Sequence, residues 1–227
     1  MLKVTDKEKY YIVLGAGGTG SWLIPSLSKL DVNAVIIDGD FIEEKNTLRQ
    51  NFSNSEVGSM KAEVLGEKFD FPYVTEFIDS TEMLEEIISE FPENQVPVFV
   101  GCLDNNGTRH LIHDLFKKKD DIIWVDSGNG ERHGQTFVAI KEKGEVKMKS
   151  PVDIDEVFAV VDGDERRPDQ ISCAEQSESA PQNVTANVMA AATLFSVIAN
   201  INNNGILTGN KFTWDTRTIS MISENIS

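Results

Sequence analysis

The stretch over residues 10–50, YYIVLGAGGTGSWLIPSLSKLDVNAVIIDGDFIEEKNTLRQ, leaves few folds open. Residues 10–14 form a short apolar, β-favouring run closed by glycine, as in a strand buried on both faces of a parallel sheet. Gly15, Gly17 and Gly20 follow as G-x-G-x-x-G, with Gly18 among them, and a helical pattern then begins. Small residues at such a strand-to-helix turn let the backbone bend tightly and let phosphates reach the amides at the helix N-terminus. A mononucleotide or a dinucleotide fits this loop equally, and the glycines could instead serve only close packing of strand and helix.

The first half of the chain continues this alternation, the signature of right-handed βαβ units. Helices are predicted over 21–30, 56–69, 81–90 and 105–119, with Pro25 bending or shortening the first. Strands are predicted over 34–37, 73–78, 97–103 and 122–125. Apolar and polar residues then alternate over 135–140 and 145–149, as in antiparallel strands. Residues 162–183 read as a polar loop or crossover segment, 184–200 as an apolar helix and 211–223 as a closing hairpin. The expected fold is an α/β doubly wound sheet, parallel in the N-terminal half, with antiparallel strands added in the C-terminal half.

A chain of 227 residues, 40% hydrophobic and 26% charged, suits one domain with a sizeable core, taken as 1–227. Its formal net charge of −16 repels nucleic acid and anionic membrane. No uninterrupted apolar run reaches the ~18 residues of a membrane span. The opening residues 1–9 are polar, unlike a signal peptide, so a cytoplasmic protein is expected. The two cysteines, Cys102 and Cys173, cannot form a four-cysteine zinc site, and in a reducing compartment they are expected to be free thiols. Cys102, in a strand, reads as core, and His110 and His113 as part of a solvated helix face.

The glycine loop alone serves NAD, FAD and ATP proteins alike. Asp38 fits the acid that a dinucleotide enzyme places about 20 positions further on for a ribose hydroxyl. The residues beyond it are more specific. Asp38-Gly39-Asp40, then Asn46-Thr47-Leu48-Arg49-Gln50 and Lys61, resemble the ThiF/MoeB and ubiquitin-activating-enzyme superfamily. Its pattern is G-x-G-G-x-G-S, D-x-D, N-x-x-R-Q and a following lysine, and an N-x-x-R-Q element has no task in an ordinary NAD site. The segment 102–109, Cys-Leu-Asp-Asn-Asn-Gly-Thr-Arg, is similar to the family's strand-end aspartate, asparagine and helix-borne arginine.

The resemblance implies a Rossmann-like fold and an ATP-dependent adenylyltransferase that activates the C-terminal carboxylate of a small ubiquitin-fold or sulfur-carrier protein. It further implies that Arg49 and Lys61 neutralise phosphate charge, that Asp104 holds Mg²⁺ and that Asp38, rather than Asp40, binds the ribose. Asn46 and Gln50 would orient phosphates or the loop, and Asn105 and Arg109 complete the nucleotide site. The bland alternatives are strand-end turn residues for Asp38 and Asp40, surface charges for Arg49 and Lys61, and a helix cap for Asp104. Ser172-Cys173-Ala174-Glu175-Gln176, followed by Gln182-Asn183 and an apolar helix, is similar to the minimal plasmid- and phage-associated branch. That likeness makes Cys173 either an acyl-accepting thiol or a plain loop residue. The family's bacterial dimers imply a homodimer, although the arginine they lend from an N-terminal helix has no counterpart before Arg49. Paired C-x-x-C motifs are absent, so no zinc is expected. An NAD(P)-dependent oxidoreductase and a catalytically idle nucleotide-binding scaffold are the competing readings.

Overall fold

The computed structural model describes residues 2–154, 183–203 and 205–225. Its strands are β1 (Leu2–Lys3), β2 (Lys9–Leu14), β3 (Asn33–Ile37), β4 (Tyr73–Val74), β5 (Val96–Gly101), β6 (Ile122–Asn129), β7 (His133–Glu142), β8 (Glu145–Met148), β9 (Ile206–Leu207), β10 (Lys211–Asp215) and β11 (Ser220–Glu224). Its helices are α1 (Gly20–Leu27), α2 (Lys61–Phe69), α3 (Thr81–Ser89), α4 (Asn106–Lys118), the single turn α5 (Pro151–Ile154) and α6 (Val184–Asn203).

The main sheet runs β11-β10-β7-β6-β5-β2-β3-β4, with β8 added beside β7. From β6 through β4 neighbouring strands pair in parallel, and β7, β8, β10 and β11 pair antiparallel. The parallel strands are continuous apolar runs because each side of the sheet carries its own core. Tyr11 and Val13 of β2, Val98 and Val100 of β5, and Ile123 and Val125 of β6 meet Leu23, Ile24 and Leu27 of α1, Leu65 of α2 and Leu194 and Ile198 of α6. The alternate residues Tyr10, Ile12, Leu14, Phe99 and Trp124 meet Leu84 of α3 and Ile112, Leu115 and Phe116 of α4. The chain leaves β2 toward β3 and β4 and returns on the other side of β2 to β5, so the strand order reverses between β2 and β5. A crevice opens at the carboxyl ends of strands at such a switch point.

Several boundaries depart from expectation for local reasons. Helix α1 stops at Leu27. Pro25 within it has no amide for the carbonyl of Ser21, and that carbonyl accepts from Asn51 Nδ2 at 3.3 Å instead. The helix expected over 56–69 begins only at Lys61, because Gly58 takes φ +93 after a 3₁₀ turn over Asn54–Glu56. Of the strand expected over 73–78 only β4 forms, and Glu76, Phe77 and Ile78 line the crevice instead. Strand β6 continues four residues past its predicted end at Val125, pairing Asp126, Ser127, Gly128 and Asn129 with β7.

Helix α6 corrects a further expectation, since by length and composition it could cross a membrane. Half of its most apolar window is buried within the fold, and Ala186, Ala190, Leu194, Val197 and Ile201 mark the inward face of a core helix. The pair His110 and His113 was expected on a solvated face, but His113 is buried, with its Nδ1 2.8 Å from Ser150 Oγ. The loop expected over 162–183 lies outside the described residues except for Asn183, and Cys173 lies outside them altogether.

Candidate functional site

The glycine loop is shaped by two glycines and kept open by others. Gly15 sits at φ +98, and a Cβ there would lie 2.6 Å from the carbonyl oxygen of Cys102. A Cβ at Gly20 would overlap the carbonyl oxygen of Gly15. These two positions therefore let the end of β2, the start of α1 and the end of β5 close on one another. At Gly17 the nearest atom to an added Cβ is Gln50 Nε2 at 3.8 Å, so this part of the loop faces space. Gly17, Gly18 and Thr19 line the crevice at the N-terminus of α1, where the first amides of a helix have no acceptor within it.

Asp38, just past β3, is bound from two sides. Its Oδ2 accepts from the amide of Ala16 at 2.6 Å and its Oδ1 from that of Asp40 at 2.8 Å. Burial pushes its carboxyl pKa up, and the charge of Lys61 and the Ala16 amide oppose the shift. Each carboxylate oxygen retains a second acceptor site. Asp40 also lines the crevice and holds Lys61 Nζ at 2.7 Å. Lys61 is only 5% exposed, and its amide donates to the Asp40 carbonyl. The late start of α2 thus puts this lysine at a helix N-terminus beside the crevice.

A 3₁₀ turn over Glu44–Leu48 delivers the next group. Asn46 closes that turn by accepting from the amide of Glu43 at 2.9 Å. The Arg49 carbonyl accepts from Trp22 Nε1 at 3.1 Å and from Asn187 Nδ2 at 3.4 Å, anchoring the backbone between α1 and α6. Its guanidinium borders the crevice and makes no ion pair among the described residues. Gln50 also borders it, and its Oε1 is buried without a hydrogen-bond partner among the described residues.

The opposite wall follows β5. Cys102 lies just past the strand and lines the crevice, its thiol pushed well above the ordinary range, chiefly by burial. Asp104 is exposed at the rim. The cap of α4 is Asn105 rather than Asp104, its Oδ1 accepting from the amide of Thr108 at 2.9 Å, so Asp104 is left facing the crevice. Arg109 does not reach the crevice: it is buried against Asp126.

The lining therefore brings together Gly15, Gly17, Gly18, Asp38, Asp40, Asn46, Arg49, Gln50, Lys61, Asp104 and Asn105, and leaves out Gly20 and Arg109 of the predicted set. Sequence reading missed Asn129, which lines the crevice, and the polar chain behind it. Thr19 Oγ1 donates to Asn129 Oδ1 at 3.4 Å, Asn129 Nδ2 donates to Asn187 Oδ1 at 3.0 Å, and Asn187 reaches the Arg49 carbonyl. The sequence signal for it was Asn187 near the start of a largely apolar helix, at a position that turns out fully buried. Four carboxylates, Asp38, Asp40, Glu76 and Asp104, line the crevice with two cations, Arg49 and Lys61, so a divalent cation would favour the entry of a polyphosphate. No group of three His, Cys, Asp or Glu among the described residues could hold a metal without help. Exposed Asp104 suits a hard cation that takes its remaining ligands from phosphate and water.

The ThiF family model matches residues 6–225. The adenylyltransferase and sulfurtransferase UBA4 of Yarrowia lipolytica is 30% identical over 115 residues, a stretch that is 48% of this chain and 28% of that protein. Crystal structures of E. coli MccB with ATP (TM-score 0.68, 17% identity, 97% of this chain and 65% of that one) and of the microcin C7 biosynthetic enzyme MccB with N-formylated MccA (TM-score 0.71, 17% identity, 96% and 65%) share the fold. The chain thus spans under two thirds of each of these proteins.

Proposed function

The chain belongs to the ThiF family, and from that premise we propose that it is an ATP-dependent adenylyltransferase, activating the C-terminal carboxylate of a small ubiquitin-fold or sulfur-carrier protein as an acyl-adenylate. The observation that carries this reading is the convergence of the glycine loop, Arg49, Lys61 and Asp104 on one crevice at the sheet's switch point. In the proposed reaction a carboxylate oxygen bonds to the α-phosphorus of ATP while the bond to the bridging oxygen breaks and pyrophosphate leaves. Two anions must approach each other, so the barrier falls where fixed positive charge is already in place. Arg49, which has no carboxylate paired to it among the described residues, and Lys61, held by Asp40, are those charges.

Asp38 takes the ribose hydroxyls through its remaining acceptor sites, and Ile37, Phe77, Ile78 and Leu103 supply the apolar part of the lining for the base. Asp104 is the residue that would hold Mg²⁺, which supplies charge neutralisation on the phosphates. The orphaned Gln50 acceptor and the amides of Gly17 and Gly18 are the further polar groups of the pocket. The proteins with matching sequence or fold bear names and ligands of the same kind: UBA4 is called an adenylyltransferase, and MccB has been crystallised with ATP and with MccA. A homodimer belongs to the same proposal, supported by the exposed apolar residues Val184, Val188, Ile219, Met221 and Ile222 on α6 and the β10–β11 hairpin.

Calorimetry with Mg-ATP and with NAD tests the nucleotide, and tighter binding of NAD would overturn the proposal in favour of an oxidoreductase. ATP–pyrophosphate exchange in the presence of a ubiquitin-fold protein tests the chemistry. Mg-ATP binding without exchange for any such partner would leave a nucleotide-binding scaffold.

A further inference from the structure

Arg109 and Asp126 lie behind the crevice wall, and Arg109 reaches the carbonyls of both residues that flank Asp104. Arg109 Nη2 donates to the carbonyl of Leu103 at 2.8 Å and to that of Ser127 at 3.4 Å. Its Nη1 donates to the carbonyl of Asn105 at 3.3 Å and to Asn106 Oδ1 at 3.0 Å. Its Nε donates to Asp126 Oδ1 at 2.8 Å, and the other Asp126 oxygen accepts from Trp124 Nε1 at 3.3 Å. Asp126 is 0% exposed, and the sheet makes room for it at a specific place: a Cβ on Gly101 would overlap the Asp126 carboxylate.

A buried ion pair is a poor source of net stability, since desolvation consumes most of the attraction. The pair does, however, hold a defined geometry. One planar guanidinium binds the carbonyls on both sides of Asp104, and its Nε is held by the single hydrogen bond to Asp126 Oδ1. With those carbonyls drawn inward, the intervening side chain projects outward at the rim. We propose that Asp126 and Arg109 are positioning residues that set the orientation of Asp104, and through it the affinity of the crevice for the metal–nucleotide complex. This inference rests on the Mg-ATP reading above.

The test is calorimetric titration of the protein with ATP across a series of MgCl₂ concentrations, alongside the melting temperature without ligand. The variants are Asp126→Asn, Arg109→Lys and the double variant Asp126→Asn/Arg109→Gln, in which no charge is left buried without its partner. Loss of such an outer contact weakens metal affinity by about 10-fold to 100-fold, so the Mg²⁺ concentration for half-maximal ATP binding should rise about 10-fold or more. ATP binding in excess EDTA should match wild type. If the single variants do not fold, the double variant carries the measurement. Variants that melt earlier but keep the wild-type Mg²⁺ dependence would overturn the inference and leave the pair a structural one. A wild-type protein that does not bind Mg-ATP at all would instead overturn the reading on which it rests.

Discussion

Removing the ammonium of Lys61 takes away a charge from the crevice and leaves Asp40, 2.7 Å away, as an uncompensated carboxylate facing incoming phosphates. Both effects oppose the reaction, so Lys61→Ala should lower pyrophosphate exchange by about 100-fold or more, the size found for losing one preorganised charge at a transition state. Asp104→Ala should cost a similar factor. A loss of only a few-fold in each, in steady-state assays at saturating ATP, would place both residues outside the chemistry. The glycines of the loop separate by the same kind of local reasoning. Gly20→Ala puts a methyl into the Gly15 carbonyl and should abolish folding or nucleotide binding, whereas Gly17→Ala meets nothing closer than 3.8 Å and should fold as wild type. Thermal melts of the two variants check this, and equal destabilisation would contradict it.

The elements carry a second consequence at the contact between α4 and α5. Ser150 Oγ donates to Asp153 Oδ2 at 3.0 Å, so with its single proton spent it accepts from His113 Nδ1. Burial holds the His113 pKa below the ordinary 6.5, opposed by Asp153, with Lys117 and His110 lowering it further and Asp114 raising it. A depressed folded value means that the neutral imidazole favours the fold. Its stabilisation is whole above pH 6.5 and drains away as the pH falls through the lower folded value. The melting temperature should therefore decline from neutral pH to about pH 5, and His113→Asn, which keeps a polar partner for Ser150 but cannot titrate, should flatten that decline. An unchanged slope would remove His113 from the acid response. Helix α6 works differently: its long apolar face holds it to the sheet, while Asn187 alone ties it to Asn129 and the Arg49 carbonyl.

At the scale of the whole molecule, strand order rather than any one contact makes the site. The crevice needs β2 and β5 as neighbours, yet Leu14 and Gly101 are brought side by side only after two intervening strands have been laid on the other side of β2. The antiparallel half closes the sheet at β10 and β11 and leaves Ile219, Met221 and Ile222 exposed on the hairpin, near in kind to Val184 and Val188 of α6. Light scattering should give about twice the 25.2 kDa of one chain, and Ile222→Lys or Val188→Lys should shift the protein toward the single-chain mass. A wild-type mass of one chain at working concentration would count against the dimer.

Local sequence determined the strand–glycine loop–helix unit, because the apolar run, the turn and the helix start are contiguous and their steric demands are met within a few residues. It also pointed to Asp38, Arg49, Lys61 and Asp104 through their resemblance to a known pattern. The start of α2 was not legible, because a helical spacing over 56–69 outweighs a single Gly58 until the left-handed turn is seen. The strand was expected to end at Val125, before the polar Asp126 and Ser127, because polar residues mark turns far more often than buried sheet, and only pairing with β7 keeps them in the ladder. Whether Arg109 touches ligand or braces the wall behind it depends on Asp126, which stands 17 residues away and reaches it across a neighbouring strand. Such pairings are decided when the sheet closes, since burial is what turns a polar side chain from a solvated group into one that must find its partner.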